Sequence, residues 1–410
     1  MHLARVSAGW RGVSVALLWC AAQGQQAFDT SGEIVQHTLG ARAGEWDVWA
    51  APFVRWDTVY FVAAAAHGYT TEQALAFQPG IVSVLRLGGY IGRLWDASAP
   101  WDATAAVVVA TVLANIASWA SPLLLYEVVR AWSTPSIARA AALFSAIAPA
   151  STSALSAPTP ESFFSVLSLL GFWVLGTGHE AHRTARRALA AMCFAAATCF
   201  RANGILLAGY LVWHAAWAPK TQSLGRFAVR LLGVLPLVFV SISPWVLTQA
   251  WAYSRLCTQG AISPWCTWRV PLAYNYIQST DVGLFRYWTL AQVPNFVLAA
   301  PVLLAGGIAC ATYGRRVGLP LLDAVLCPWR APLGHETVPL PFMLHTLALL
   351  LVLLFASHVQ IALRLCTPGG MPFVWYGLAH GSVHRRTALR YLVPYALVAG
   401  LLYAGFYPPA

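Results

Sequence analysis

"TAAVVVATVLANIASWASPLLLY", Thr104–Tyr126, contains no Asp, Glu, Lys or Arg. Coiled as a helix, it is long enough to cross a hydrocarbon core of about 30 Å, which takes roughly 20 apolar residues. Comparable runs recur along the chain, and its composition agrees with them. Of 410 residues, 59% are hydrophobic and 10% charged, and mean hydropathy is +0.62. Soluble domains carry about 25% charged residues, so the polar surface that water requires is missing. The sequence is read as an all-α, polytopic membrane protein. An outer-membrane barrel is excluded, because strict alternation is absent and the apolar runs are too long for barrel strands.

Hydropathy places spans at 10–27, 104–126, 137–150, 161–178, 188–200, 204–218, 231–250, 290–312, 340–363 and 391–407, roughly eight to ten crossings. The pieces at 137–150 and 188–200 are short. Such pieces are either buried by neighbours or are broken helices lining a cavity, where irregular backbone is tolerated at that depth. The chain is read as one domain, 1–410, with a long translocated loop at 28–103 and a second at 251–289.

The net charge of +11 does not mark a nucleic-acid binder, because the basic residues stand in short clusters between apolar runs. That distribution is what the positive-inside rule produces. Arg183, Arg186 and Arg187 form one cluster, Lys220 (the only lysine), Arg226 and Arg230 another, and Arg315, Arg316 and Arg330 a third. With these in the cytoplasm, the acidic loop 28–103 is translocated. Arg385, Arg386 and Arg390 conflict with this scheme, because they too would be translocated. Loop 28–103 is too long for a simple connection. Its large aromatics, among them Trp46, Trp49, Tyr69 and Trp95, predict short amphipathic helices on the bilayer surface. No internal repeat of the kind found in inverted-repeat transporters is visible.

Chemistry concentrates in "PFVRWDTVYFVAAAAHGYTTEQALAFQPG", Pro52–Gly80. Asp57, beside Trp56 and ahead of an aromatic run, is a partly desolvated carboxylate and a candidate general base. The competing reading is structural, since Asp is also a favoured helix N-cap. Arg55, Arg201, Arg255 and Arg269 lie near the translocated face, and arginine suits bidentate contact with phosphate. Arg201 in "CFRANG" interrupts an apolar stretch, and a charge there faces a polar cavity or snorkels at a helix end. Glu161, after Pro160 in "SAPTPESFF", either complements a helix dipole or takes part in the chemistry. Of eight cysteines, Cys257 and Cys266 share one translocated loop and in an oxidising compartment can pair. No metal-ligand spacing is present, nor a Walker loop, a dinucleotide fingerprint, an Asp-x-Asp or a Gly-x-Ser-x-Gly. The expectation is therefore an enzyme without metal or cofactor whose substrates are lipid-borne.

These stretches resemble the family of second mannosyltransferases of glycosylphosphatidylinositol (GPI) anchor synthesis. The likeness runs through "FDTS" (Phe28–Ser31), "RWDTVYF", "GYTTEQALAFQPG", "PASTSALSAPTPESFF", "FRANG", "PWCTWRVPLAYNYIQ", "FRYWTLAQVPNFVLAAP" and "HVQIALRL". Departures are Thr159 and Pro160 in place of a Tyr and a hydroxyl residue, Ala202 in place of a Ser, and Ser279-Thr280 in place of an aromatic pair. With "FDTS" following it, the N-terminal apolar stretch is read as a retained helix and not as a cleaved signal peptide.

The resemblance implies a GT-C-type glycosyltransferase of the endoplasmic reticulum membrane. It would move mannose from dolichyl phosphate mannose to the GPI precursor lipid, with a small membrane partner subunit as a further expected companion. In that scheme Asp57 is the base, Arg201 and Arg269 neutralise the departing phosphate, and Trp56 and Tyr60 form walls. Asn203 and Gln278 hold sugar hydroxyls, with Arg55, Glu161 and Asp29 as further substrate-side residues. The rival expectations are a related lipid-linked glycosyltransferase with another acceptor, and a transporter or scaffold whose polar island is structural.

Overall fold

A computed structural model describes residues 2–28, 31–40, 47–176, 183–216, 223–258, 263–274, 282–318, 337–381 and 385–407. The described residues are helical or irregular and include no strand. Helix α1 spans His2–Gly24, and the first long loop holds α2 (Ser31–Leu39), α3 (Thr58–His67) and α4 (Pro79–Gly89). The bundle continues with α5 (Ala103–Arg130), α6 (Pro135–Ala146), α7 (Pro160–Gly176), α8 (Arg183–Phe200), α9 (Ala208–Ala216) and α10 (Leu224–Leu256). It closes with α11 (Val293–Val317), α12 (Leu340–Phe355), α13 (Ala362–Leu365), α14 (Pro372–His380) and α15 (Arg385–Ala404).

Helix starts follow local chemistry. Asp102 caps α5, its Oδ1 accepting from the Ala105 amide at 2.8 Å, and Thr134 caps α6 ahead of Pro135. Ala103–Arg130, Leu224–Leu256, Leu290–Val317 and Arg385–Ala404 are long and apolar enough to cross a membrane unaided. The shorter helices are shielded by neighbours: α5 packs on α6 and α7, α7 on α8, and α14 on α6 and α11.

Between α6 and α7 the chain runs through buried 3-10 turns at Pro149–Thr152 and Ala154–Ser156. Backbone polar groups buried at such depth need partners. Arg11, buried within α1, donates to the Ser151 carbonyl at 2.6 Å and the Leu155 carbonyl at 3.3 Å. Ser118 donates to the Leu155 carbonyl at 3.0 Å, and Asn115 to that of Ser156 at 3.1 Å. Helix α1 also packs along α15 and α5, so this segment is built into the core.

The expected span 340–363 is in fact broken. Helix α12 stops at Phe355, and the chain turns through Ser357 and His358 into a 3-10 turn, Val359–Ile361, and α13. The exposed carbonyls at the break are met from the neighbouring loop: the Phe285 amide donates to Phe355 at 2.7 Å and the Gly283 amide to Ala356 at 3.0 Å. The Trp288 indole donates to the Leu354 carbonyl at 2.6 Å. Bent backbone at this depth is stable because it lines a cavity and its polar groups are paired.

A second difference removes the charge conflict. Sequence reading places no helix at Pro372–His380, yet α14 returns the chain to the opposite end of the bundle, where Arg316 of α11 meets His380 at 2.8 Å. Arg385 then donates to the Ser136 hydroxyl, at 2.6 Å, at the start of α6. Arg385, Arg386 and Arg390 therefore share an end with Arg130, Arg315 and Arg316, as the positive-inside rule requires. The first long loop gathers at the other end, where the Phe28 amide donates to the Gly405 carbonyl at 3.0 Å. In a background whose other cysteines are replaced outside the Cys257–Cys266 pair, a cysteine at Gly381 will react with an impermeant maleimide from the same side as one at Gly225. A cysteine at Tyr407 will react from the opposite side.

Candidate active site

The acidic end of the bundle contains a cavity of about 500 Å³, within the usual range for small-molecule sites. Five separate pieces of chain build it, the head of α7 contributing Pro160. Trp56, Asp57 and Tyr60 come from the first loop, Arg201 and Asn203 from the turn after α8, and Tyr274 from the second loop. Ser357, His358, Gln360 and Arg364 come from the break after α12.

Asp57 owes its position to an unusual backbone. Trp56 has φ +53°, in the left-handed region, which is rare for a bulky residue and costs on the order of 1–3 kcal/mol. The sharp turn leaves Asp57 at the head of α3, yet its side chain makes no capping hydrogen bond. The carboxylate, 30% exposed, instead accepts from Arg364 Nη1 at 2.6 Å. The helix-cap reading of Asp57 thus finds no hydrogen bond, and the residue borders the cavity.

Arg364 is shared. Its Nε also donates to Glu161 Oε1 at 2.7 Å, and the same Glu161 oxygen is ion-paired to Arg201 Nη1. Glu161 side-chain exposure is 0%, and that of Arg364 is 10%. Asp57, Arg364, Glu161 and Arg201 thus form one chain of alternating charge, two anions and two cations, with formal sum zero. A desolvated carboxylate costs several kcal/mol, and flanking guanidiniums with good geometry offset that cost. Arg201 Nε also donates to Asn203 Oδ1 at 3.3 Å, which fixes the guanidinium plane at the cavity wall.

Several expected site residues are placed elsewhere. Arg55 is buried but turned from the cavity: its Nε donates to the Ala404 carbonyl at 2.8 Å, its Nη1 to that of Val54 at 3.0 Å, and Phe406 lies against its guanidinium. Arg55 pins the first loop to the end of α15, because these backbone carbonyls lie within its reach and no ligand space does. Glu161 does not line the cavity; it holds both arginines from behind. Arg269 is exposed and outside the lining, because Trp268 and Arg269 follow the Cys257–Cys266 clip on its solvent side. Gln278 and Asp29 lie outside the described residues.

Arg364 escaped the sequence reading although "HVQIALRL" was singled out. The signal was the one that exposed Arg201, a cation interrupting an apolar run, but the expected span ended at 363, one residue short of it. Gln78, Tyr274 and Gln360 also line the cavity unforeseen.

The two long loops are fastened to each other. Cys257 and Cys266 form a disulfide with Cα atoms 5.5 Å apart. Inside that clip, the Ser263 hydroxyl and the Trp265 indole both bond Glu72 Oε1 of the first loop. Tyr69 stacks edge-on with Trp251 at 5.5 Å, and burial pushes its phenol well above its usual pKa. Glu72 and Tyr69 therefore answer why polar and aromatic residues crowd together in Pro52–Gly80: they join the loops that wall the cavity.

The model of the mannosyltransferase (PIG-V) family matches residues 41–410. The chain belongs to this family. It is 30% identical over 399 residues to GPI mannosyltransferase 2 of Cryptococcus neoformans, covering 88% of this chain and 89% of the relative. To GPI alpha-1,6-mannosyltransferase 2 of Cricetulus griseus it is 28% identical, over 82% of this chain and 74% of that relative. Among solved structures, an Archaeoglobus fulgidus oligosaccharyltransferase aligns with TM-score 0.44 and 13% identity, over 82% of this chain and 48% of that one. That likeness is too distant to bear on the site.

Two outcomes follow from the charge chain. Glu161→Leu will leave Arg201 without its carboxylate and Arg364 with Asp57 alone, and will destabilise the protein by roughly 3–5 kcal/mol, read as a large fall in Tm in detergent. Asp57→Asn, at the exposed end of the chain, will shift Tm far less. Non-reducing peptide mapping will recover Cys257 and Cys266 in one disulfide-linked fragment.

Proposed function

We propose that the protein transfers the second, α1,6-linked mannose from dolichyl phosphate mannose to the GPI precursor, at the translocated face of the endoplasmic reticulum membrane. The observation that carries the proposal is that Asp57 and Arg201, a carboxylate and a cation, line one cavity between broken apolar helices in a chain of the mannosyltransferase family. Nothing in the reading calls for a nucleotide or a metal, since the arginines supply the positive charge.

The chemistry is a single displacement that inverts the anomeric centre. A bond forms from the acceptor hydroxyl oxygen to the anomeric carbon while the bond from that carbon to the phosphate oxygen breaks. The acceptor's proton passes to Asp57, as general-base catalysis requires. The centre is oxocarbenium-like, by analogy with inverting glycosidases, and the base has no covalent role.

Charge bookkeeping favours this arrangement. Asp57 loses its negative charge as it takes the proton, while the leaving phosphate gains one. The net charge of the cavity stays constant during the step, and only its position moves. Arg364 and Arg201, gripped by the same Glu161 oxygen, stand ready along that path. Because they are already oriented, the transition state gains their field without reorganisation. Trp56 and Tyr60 wall the sugar or its isoprenoid carrier.

Asp57→Asn will fold and insert, yet will fail to rescue cells lacking the second GPI mannose, and one-mannose intermediates will accumulate in their lipid extracts. Full rescue by this variant overturns the role of Asp57.

A further inference from the structure

Gln78 is 3% exposed and lines the cavity, yet neither its amide nitrogen nor its amide oxygen has a partner. It stands at the N-cap position of α4 and makes no capping hydrogen bond there. Two more orphans line the same cavity: the Trp56 indole nitrogen and the Asn203 amide nitrogen, whose Oδ1 is already taken by Arg201. Buried polar groups are nearly always bonded, so three unmet ones facing a single cavity need partners that enter it, whether water or ligand.

The three groups define what that ligand offers. Three of their four unmet atoms are donors, which a hydroxyl or a phosphate oxygen can meet, but Gln78 Oε1 only accepts and needs a donor such as a hydroxyl. A primary amide both donates and accepts, while the indole only donates. A hydroxyl both accepts and donates, so a neutral polyol satisfies all three where water-free apolar matter satisfies none.

We infer that Gln78, beside Trp56 and Asn203, is a specificity-determining contact that reads a hydroxyl of the transferred sugar. The inference rests on the proposed function and names a residue for its donor side. A site built to bond a hydroxyl rejects the analogue that lacks it, because its own polar group is then left unmet.

The test uses the purified full-length chain with a short-chain polyprenyl phosphate mannose and its monodeoxy counterparts. The wild type will lose about tenfold to a hundredfold in kcat/KM on one deoxy donor. Gln78→Leu will show that loss on the intact donor and no further loss on the same deoxy donor, with Tm unchanged or raised. Gln78→Met serves the same purpose if the leucine variant does not fold. A variant that matches wild type on every donor, or suffers an equal added loss on each deoxy donor, overturns the inference. Should the wild type transfer no mannose, the proposed function fails, and Gln78 is judged by binding alone. Polyprenyl phosphate mannose will raise the wild-type Tm more than polyprenyl phosphate does, and that difference will vanish in Gln78→Leu. Equal differences in both proteins overturn the assignment.

Discussion

A carboxylate with no exposed surface holds two guanidiniums, and the rest of the site is arranged around that grip. Glu161 could not stay charged in an apolar bundle alone. Arg201 and Arg364 neutralise it, and in doing so they bring the turn after α8 and the break after α12 against the head of α7. Asp57 then attaches to the outer side of Arg364. The two carboxylates differ in kind: one is enclosed, and the other reaches the cavity.

Irregular backbone is what lets these side chains meet. A continuous α12 would carry Arg364 along its axis and away from Asp57. The break at 356–358 turns it inward, and amides from 283 and 285 meet the carbonyls left exposed. The buried turns between α6 and α7 have the same logic, with Arg11 and Ser118 serving their carbonyls. Each departure from regular helix is matched by a polar side chain or loop amide that makes it tolerable in a medium without water.

Helix positions were legible because hydropathy along the chain reports the medium directly, and α5, α10 and α11 fall where the apolar runs do. Helix α14 was not legible. It is short, follows the turn-rich "CTPGG" and is buried by α6, α11 and α12, so its stability comes from packing that no local window contains. Arg385 and its neighbours carried the missing information, since their charges demanded one more reversal of the chain. Asp57 and Arg201 stood out as charges in unsuitable surroundings. Arg55 shared that mark but serves backbone carbonyls, a distinction that depends on how the first loop meets the end of α15. Gln78 had no mark at all, because an amide in a loop is unremarkable until its partners are found missing.

The ion pair between Arg364 and Asp57 joins residues 307 positions apart, and that between Arg364 and Glu161 spans 203. During synthesis Glu161 and Arg201, 40 positions apart, can find each other early, while the carboxylate at 57 waits for a cation made near the end. A ribosome-bound or prematurely terminated chain thus holds a neutralised interior but no assembled centre. The Asp57–Arg364 pair can close only once the late helices have been made.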